Sequence, residues 1–316
     1  MTSSLCVCLT PLHVLIAAKI EAVNEIKFSK GVYLTYADNA KSKFYSKEME
    51  KFCDSVDYII LPSEGDYPSP KYLYLFLRRL RFRIMFTTYG AVDTLYTGTS
   101  INQYLYALLS AVKFDRLVTF DDGVLNIKHD SELLIKDKWF VKLFFLISGI
   151  SYWRARVISK STQHYSIYQA ANIFSNINKI KLIEINNNKK FINQSSSIVR
   201  IFLGPPPESS LEIWEKILQS IKEIKPNAYL PHPREINRRF PELEYVETEL
   251  VAEHYVLNLL DVNPDTVYEL YGYEGSALLN LAGLERIKVF SVMPINYECL
   301  ESINLMRSAG INFLYA

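Results

Sequence analysis

The sequence predicts an α/β protein made of two doubly wound domains, each with a parallel sheet. Three observations predict it. Short apolar strands alternate with helix-length segments from the first residues onward, a polar stretch then breaks the alternation, and the alternation restarts beyond it.

Leu5 to Leu9 reads as a buried strand. Thr10-Pro11 supplies an N-cap and a proline in the first turn of a helix from His13 to Val23. Further strands are expected at 31–35, 58–61, 94–96 and 116–120, with helices at 41–53 and 101–111 between them. The stretch INNNKKFINQSSS is rich in Asn and Ser and lacks periodicity, which reads as a linker. The expected domains are therefore 1–185 and 198–316, joined by 186–197. The second begins with a strand at 198–203, the turn Gly204-Pro205-Pro206-Pro207, a helix at 211–224 and a strand at 228–230. A strand at 245–247, a helix at 252–259, a strand at 266–270, a helix at 276–282 and a strand at 288–290 follow. Two Rossmann-like halves on a linker are the GT-B plan. Its active site is expected in the cleft between the domains, beyond the carboxyl ends of the strands.

Bulk properties narrow the function. A net charge of +1 favours neither nucleic acid nor a strongly acidic partner. With only 11 glycines, several Gly-rich phosphate loops are not expected. Cys6, Cys8, Cys53 and Cys299 show no zinc spacing, and a chain of this length needs no disulfide, so free thiols in a reducing, cytoplasmic compartment are expected. The apolar run from Leu5 to Ala18 lacks a basic leader and is broken by Pro11 and His13. The run from Trp139 to Trp153 is too short for a bilayer and contains Lys142, so no membrane crossing is expected.

Three motifs carry chemistry. Asp121-Asp122-Gly123 directly follows the strand at 116–120, which places two carboxylates at a strand's carboxyl end. Their mutual repulsion pushes one pKa up toward that of a working base. The other reading is an ordinary strand-end turn. In Pro231-His232-Pro233-Arg234 the two prolines hold the histidine on a rigid extended backbone. His232 there suits a phosphate or a leaving group, and Arg234 offers a second phosphate contact; a buried loop histidine is the alternative. Gly275-Ser276 opens a helix after a strand, which suits an anion; a simple capping serine is the alternative.

The order of these motifs resembles the bacterial sialyltransferases, whose pattern runs Asp/Glu-Asp/Glu-Gly, then His-Pro, then Ser/Thr. The blocks CLTPLH and FLGPPP…LPHPRE are most similar to the lipooligosaccharide branch, glycosyltransferase family 52. The resemblance implies roles residue by residue. Asp121 matches the base for the acceptor hydroxyl, with Asp122 as its partner, and Glu208 is a rival base. His232 matches the histidine that meets the CMP phosphate, with Pro233 and Arg234 beside it. Ser276, after Gly275, matches the hydroxyl on the same phosphate, and Glu253 loosely matches a carboxylate for the cytidine ribose. The implied reaction is an inverting transfer of sialic acid from CMP-Neu5Ac to a galactose-ended glycan. CMP carries a single phosphate and the chain has no Asp-x-Asp, so neither metal nor other cofactor is expected.

Lys71 to Ile84 (KYLYLFLRRLRFRI) mixes arginines with aromatic and aliphatic residues. It suits a membrane surface or a lipid-linked acceptor, or else a helix with solvated arginines on one side. Peripheral membrane contact and a homodimer are the remaining expected associations. The rival functions are a glycosyltransferase using another nucleotide sugar, a non-enzymatic glycan- or nucleotide-binding protein, and a metal-dependent phosphoryl enzyme using Asp121 and Asp122.

Overall fold

Ser4–Cys8 forms β1, and all five of its residues are buried. A strand covered on both faces has no solvent side, which is why LCVC reads as a continuous apolar run rather than an alternating one. A computed structural model describes residues 3–62, 71–99, 101–127, 139–168, 172–181, 197–206, 209–233, 235, 238–273, 275–293 and 300–315. The chain divides into two units, Met1–Leu182 and Ile183–Ala316. The expected linker residues 186–196 lie outside the described residues, and Ser197 already belongs to a strand.

In the first unit, β1 leads into α1 (Pro11–Asn24), where Thr10 Oγ1 accepts from the His13 backbone N–H. Then come β2 (Lys30–Thr35), α2 (Ala40–Met49), β3 (Val56–Ile60), α3 (Lys71–Phe86), β4 (Ala91–Gly98), α4 (Gln103–Ala111) and β5 (Lys113–Phe120). The helix expected at 101–111 starts at Gln103 because Asn102 caps it, accepting from the N–H groups of Tyr104 and Leu105. After β5 the unit adds α5 (Trp139–Ile147), α6 (Arg154–Lys160), β6 (Ser161–Ser166) and β7 (Ile177–Lys179). The seven strands pair in parallel in the order β3-β2-β1-β4-β5-β6-β7. Leu5, Val7, Val32, Leu34, Leu95 and Leu117 from the sheet pack on Tyr104, Leu105 and Leu108 of α4. Each such leucine contributes about 1.5–3 kcal/mol by leaving water.

The second unit runs β8 (Ser197–Leu203), α7 (Leu211–Ile224), β9 (Ala228–Leu230), α8 (Ala252–Val262) and β10 (Thr266–Tyr273). It ends with α9 (Ser276–Leu281), β11 (Ile287–Met293), α10 (Leu300–Ser308) and β12 (Asn312–Tyr315). Its parallel sheet has the order β12-β11-β10-β8-β9. In both sheets the first strand has its successor on one side and a later strand on the other. The connections therefore diverge at the carboxyl ends of β1 and β8, where such sheets hold ligands.

Several elements differ from expectation. No strand forms at 245–247; Tyr245 makes a single bridge to Tyr229, because β9 has only three residues to pair with. The strand expected at 266–270 continues to Tyr273, which brings Gly275 and Ser276 directly behind a strand end. β6, β7, α5, α6, α10 and β12 were not expected. The basic segment is helical, with the Arg79 guanidinium 4.9 Å from the ring centres of both Phe144 and Phe145 on α5. Cys6, Cys8 and Cys53 are free and buried, and Cys299 lies outside the described residues. Among the described residues, no helix is long and apolar enough to cross a membrane.

Candidate functional site

Asp121 and Asp122 follow the last residue of β5, and adjacent residues at a strand end point to opposite sides. Asp121 points inward and is fully buried. Its Oδ1 accepts from Asn126 Nδ2 at 2.9 Å, and its Oδ2 accepts from the Ile167 N–H at 2.7 Å. Gly123 makes the first of these bonds possible. With φ at +60° it turns the chain through the left-handed region into a short 3-10 turn, Gly123–Asn126, that returns Asn126 to Asp121.

Asn172 Nδ2 donates to Oδ1 at 3.4 Å, and His164, from the middle of β6, has its Nε2 2.9 Å from the same oxygen. The hydroxyls behind His164 determine which role its Nδ1 takes. Ser161 Oγ donates to the Gln163 carbonyl oxygen, so Thr119 Oγ1 must donate to Ser161. Thr119 then accepts from His164 Nδ1 at 2.8 Å, which places a proton on that nitrogen. His164 also stacks on Phe174, with ring centres 4.0 Å apart.

This arrangement corrects the expected role of Asp121. A general base must come within hydrogen-bond reach of the substrate proton, directly or through one water. Asp121 has no exposed surface, and its oxygens already face His164, Asn126 and Ile167. It is the structural carboxylate that ties the turn after β5 to the segment after β6. His164 escaped sequence reading because STQHYS has no apolar periodicity to mark a strand.

Asp122 lies on the other side, with its side chain 18% exposed. Its Oδ1 is 3.0 Å from Nε2 of His13, a fully buried residue in the first turn of α1. The oxygen sits off the N–H axis, so the two atoms are in contact while Nε2 makes no aligned hydrogen bond.

In the second unit, Gly272 of β10, Leu203 of β8 and Leu230 of β9 lie in one row across three neighbouring strands. His232 and Ser276 follow shortly after two of these strand ends. His232 is half-buried, and its carbonyl oxygen accepts from the Glu235 N–H at 2.8 Å, closing a turn that includes the exposed Pro233. Glu235 Oε2 accepts from the buried Tyr229 hydroxyl at 2.9 Å. Burial raises both groups above their ordinary pKa values. The clamp needs Gly204 at the end of β8, since a Cβ there would sit 2.5 Å from the Tyr229 hydroxyl oxygen. The sequence reading missed Tyr229 and Glu235.

Gly275 occupies the N-cap of α9 in an extended conformation, and the half-buried Ser276 is the first helical residue, so Ser276 is not the capping serine of the alternative reading. Glu253, in the first turn of α8, is buried and accepts from Asn280 Nδ2 of α9 at 2.7 Å, which ties the two helices together. Glu208 and Arg234 lie outside the described residues. Among the described residues, no group of three His, Cys, Asp or Glu side chains is arranged to hold a metal ion.

Known proteins are similar to this chain in sequence or in fold. The CMP-N-acetylneuraminate:beta-galactoside alpha-2,3-sialyltransferase of Pasteurella multocida (strain Pm70) is 30% identical over 98% of both chains. The N-acetyllactosaminide alpha-2,3-sialyltransferase of Haemophilus influenzae is 28% identical over 95% of this chain and 96% of its own. Among solved structures, the glycosyltransferase SnogD from Streptomyces nogalater aligns with a TM-score of 0.54 at 11% identity, over 100% of this chain and 87% of that one. That likeness is one of fold, two Rossmann-like domains of the GT-B class. Residues 19–295 match the family model of glycosyltransferase family 52, and the chain belongs to that family.

Proposed function

We propose that this protein is an inverting sialyltransferase that moves N-acetylneuraminic acid from CMP-Neu5Ac to a terminal galactose of a lipooligosaccharide or related glycan, forming an α2,3 linkage. The observation that carries the reading is the 30% identity to the Pasteurella enzyme across 98% of both chains. In the proposed reaction the acceptor oxygen attacks the anomeric carbon while the bond from that carbon to the CMP phosphate oxygen breaks. The electron pair departs with the phosphate, and the acceptor proton passes to a carboxylate.

The strand ends of the second unit supply groups for the donor. His232, held by Pro231 and Pro233, donates to the phosphate as charge develops there, and Ser276 and the Gly275 backbone meet the same phosphate. Arg234 adds a second cation beside it. Glu253 has one oxygen taken by Asn280, so a ribose hydroxyl is left to Oε2. A donor with one phosphate needs no divalent clamp, and the reading assigns no metal.

Incubation with CMP-Neu5Ac and lactose, with CMP and sialyllactose both quantified, tests the proposal. Acceptor-dependent CMP release, with a product cleaved by an α2,3-specific sialidase, is expected. Release no faster than without acceptor, together with turnover of a different nucleotide sugar, sinks it.

A lipid-linked acceptor would bring the protein to an anionic membrane surface, and α3, α5 and α6 suit that contact. They carry lysines and arginines and no acid. Leu77 and Ile84 on α3 and Trp139, Leu143, Leu146 and Ile147 on α5 are exposed. Exposed apolar side chains beside cations favour an anionic bilayer surface. Sedimentation with phosphatidylglycerol-containing vesicles should exceed that with pure phosphatidylcholine, and Leu146→Glu with Ile147→Glu should abolish the excess. Equal sedimentation with both vesicle types removes the membrane from the reading.

A further inference from the structure

We propose that the cavity between β3 and α3 is a binding site for a single lipid phosphate, with one alkyl chain between the two elements and the phosphate on Arg78 and Arg81. The site lies wholly within the first unit and does not depend on the sialyl-transfer reading.

The cavity measures about 570 Å³, a size at which proteins hold small ligands. Ile60, at the carboxyl end of β3, and the Leu61 that follows it belong to one wall. The other wall is one face of α3. Tyr74, Leu77, Arg78, Arg81, Phe82 and Met85 line it, a spacing of three and four residues that keeps all six on one side of a helix.

The arginines of α3 divide by direction. Arg79 Nε donates to Gln103 Oε1 at 2.7 Å, and its guanidinium lies over the rings of Phe144 and Phe145. The Arg83 guanidinium lies against Gly149, where a Cβ would sit 2.6 Å from Nη1. Both are directed toward α4, α5 and the turn after α5. Arg78 and Arg81 instead share the cavity wall with apolar residues, and the Arg78 guanidinium is 5.3 Å from the ring centre of Tyr74. An ordinary amphipathic helix would keep its cations on the face opposite the apolar one.

Two features choose the ligand. The walls include apolar side chains open to water: Ile60 is 50%, Leu77 53% and Met85 39% exposed. An alkyl chain laid on them removes that surface from water, which an inorganic ion does not do. The charged part of the cavity is wholly cationic, since none of the residues that line it is acidic. Two guanidiniums one helical turn apart suit a phosphate, with its several oxygens and up to two negative charges. An uncharged amphiphile offers them no counter-charge.

The test is calorimetric titration of the full chain with decyl phosphate below its critical micelle concentration, beside octyl phosphate, inorganic phosphate and the uncharged decyl maltoside. One decyl phosphate should bind per chain. Octyl phosphate should bind about 15-fold more weakly, since each buried methylene changes affinity about fourfold. Inorganic phosphate and decyl maltoside should each bind at least about tenfold more weakly than decyl phosphate. Arg78→Gln combined with Arg81→Gln should weaken decyl phosphate about tenfold or more. Leu77→Glu, which sets a like charge on the wall, should do the same, while Arg156→Gln on α6 should leave affinity within about twofold. Leu77 and Arg81 are exposed, and thermal melts check that each variant is folded. Uptake that rises without saturating, or that the double variant leaves unchanged, is surface adsorption and overturns the site. Equal affinity for inorganic phosphate overturns the lipid assignment, and equal affinity for decyl maltoside overturns the role of the arginines. None of these outcomes depends on turnover, so failure here leaves the transferase reading intact, and failure of CMP-Neu5Ac as donor leaves this site intact.

Discussion

His164 Nε2 lies 2.9 Å from Asp121 Oδ1, with both side chains closed to solvent. A buried pair of this kind holds the fold through coupling, since removing one partner strands the other. Asp121→Ala and His164→Ala should each destabilise the protein by about 3–5 kcal/mol. The double variant should cost less than the two single ones together. Urea melts of the four proteins check this, and additive costs would show that the two side chains act independently.

His232→Ala should lower turnover by about two to four decades, the usual contribution of an acid–base group. The motivation is its position after β9, in a turn clamped by Tyr229 and Glu235. Steady-state CMP release measures it, and more than half the wild-type rate would remove His232 from the reaction.

Excess EDTA should leave turnover within about twofold of the untreated enzyme, because a single-phosphate donor offers no diphosphate for a divalent ion to bridge. The assay is CMP release before and after chelation. Activity that collapses and returns with Mn²⁺ would establish a metal-dependent reaction.

Gly123→Ala should destabilise the protein by about 1–2 kcal/mol, because residue 123 has φ of +60° and an L side chain is strained there. Gly123→Asn should be milder, since asparagine tolerates that region best among side-chain-bearing residues. Paired urea melts decide; equal melts for the alanine variant and wild type would mean that the turn readily relaxes.

Much of the architecture was legible because it rests on local patterns. Thr10-Pro11 announced α1, the helix 211–224 and the strand 228–230 were expected at the bounds they have, and the alternation of strands and helices pointed to parallel sheets. β6, β7 and β12 were hidden because their sequences are polar or mixed and carry no apolar run or alternation to mark a strand. His232 and Ser276 were legible as candidates from prolines and a Gly-Ser step, whereas the Tyr229–Glu235 clamp depends on Gly204 from another strand.

By itself the sequence determined that two carboxylates stand at the end of β5 and that a glycine turns the chain after them. Only the tertiary structure decided which of them is buried. That depends on what packs on each side: His164 arrives from β6 and closes over Asp121, while His13 arrives from α1 and leaves Asp122 at the surface. Both histidines are distant from the motif along the chain. The pairing of β5 with β4 and β6 brings them to it, and side-chain direction in a short motif carries no record of such long-range contacts.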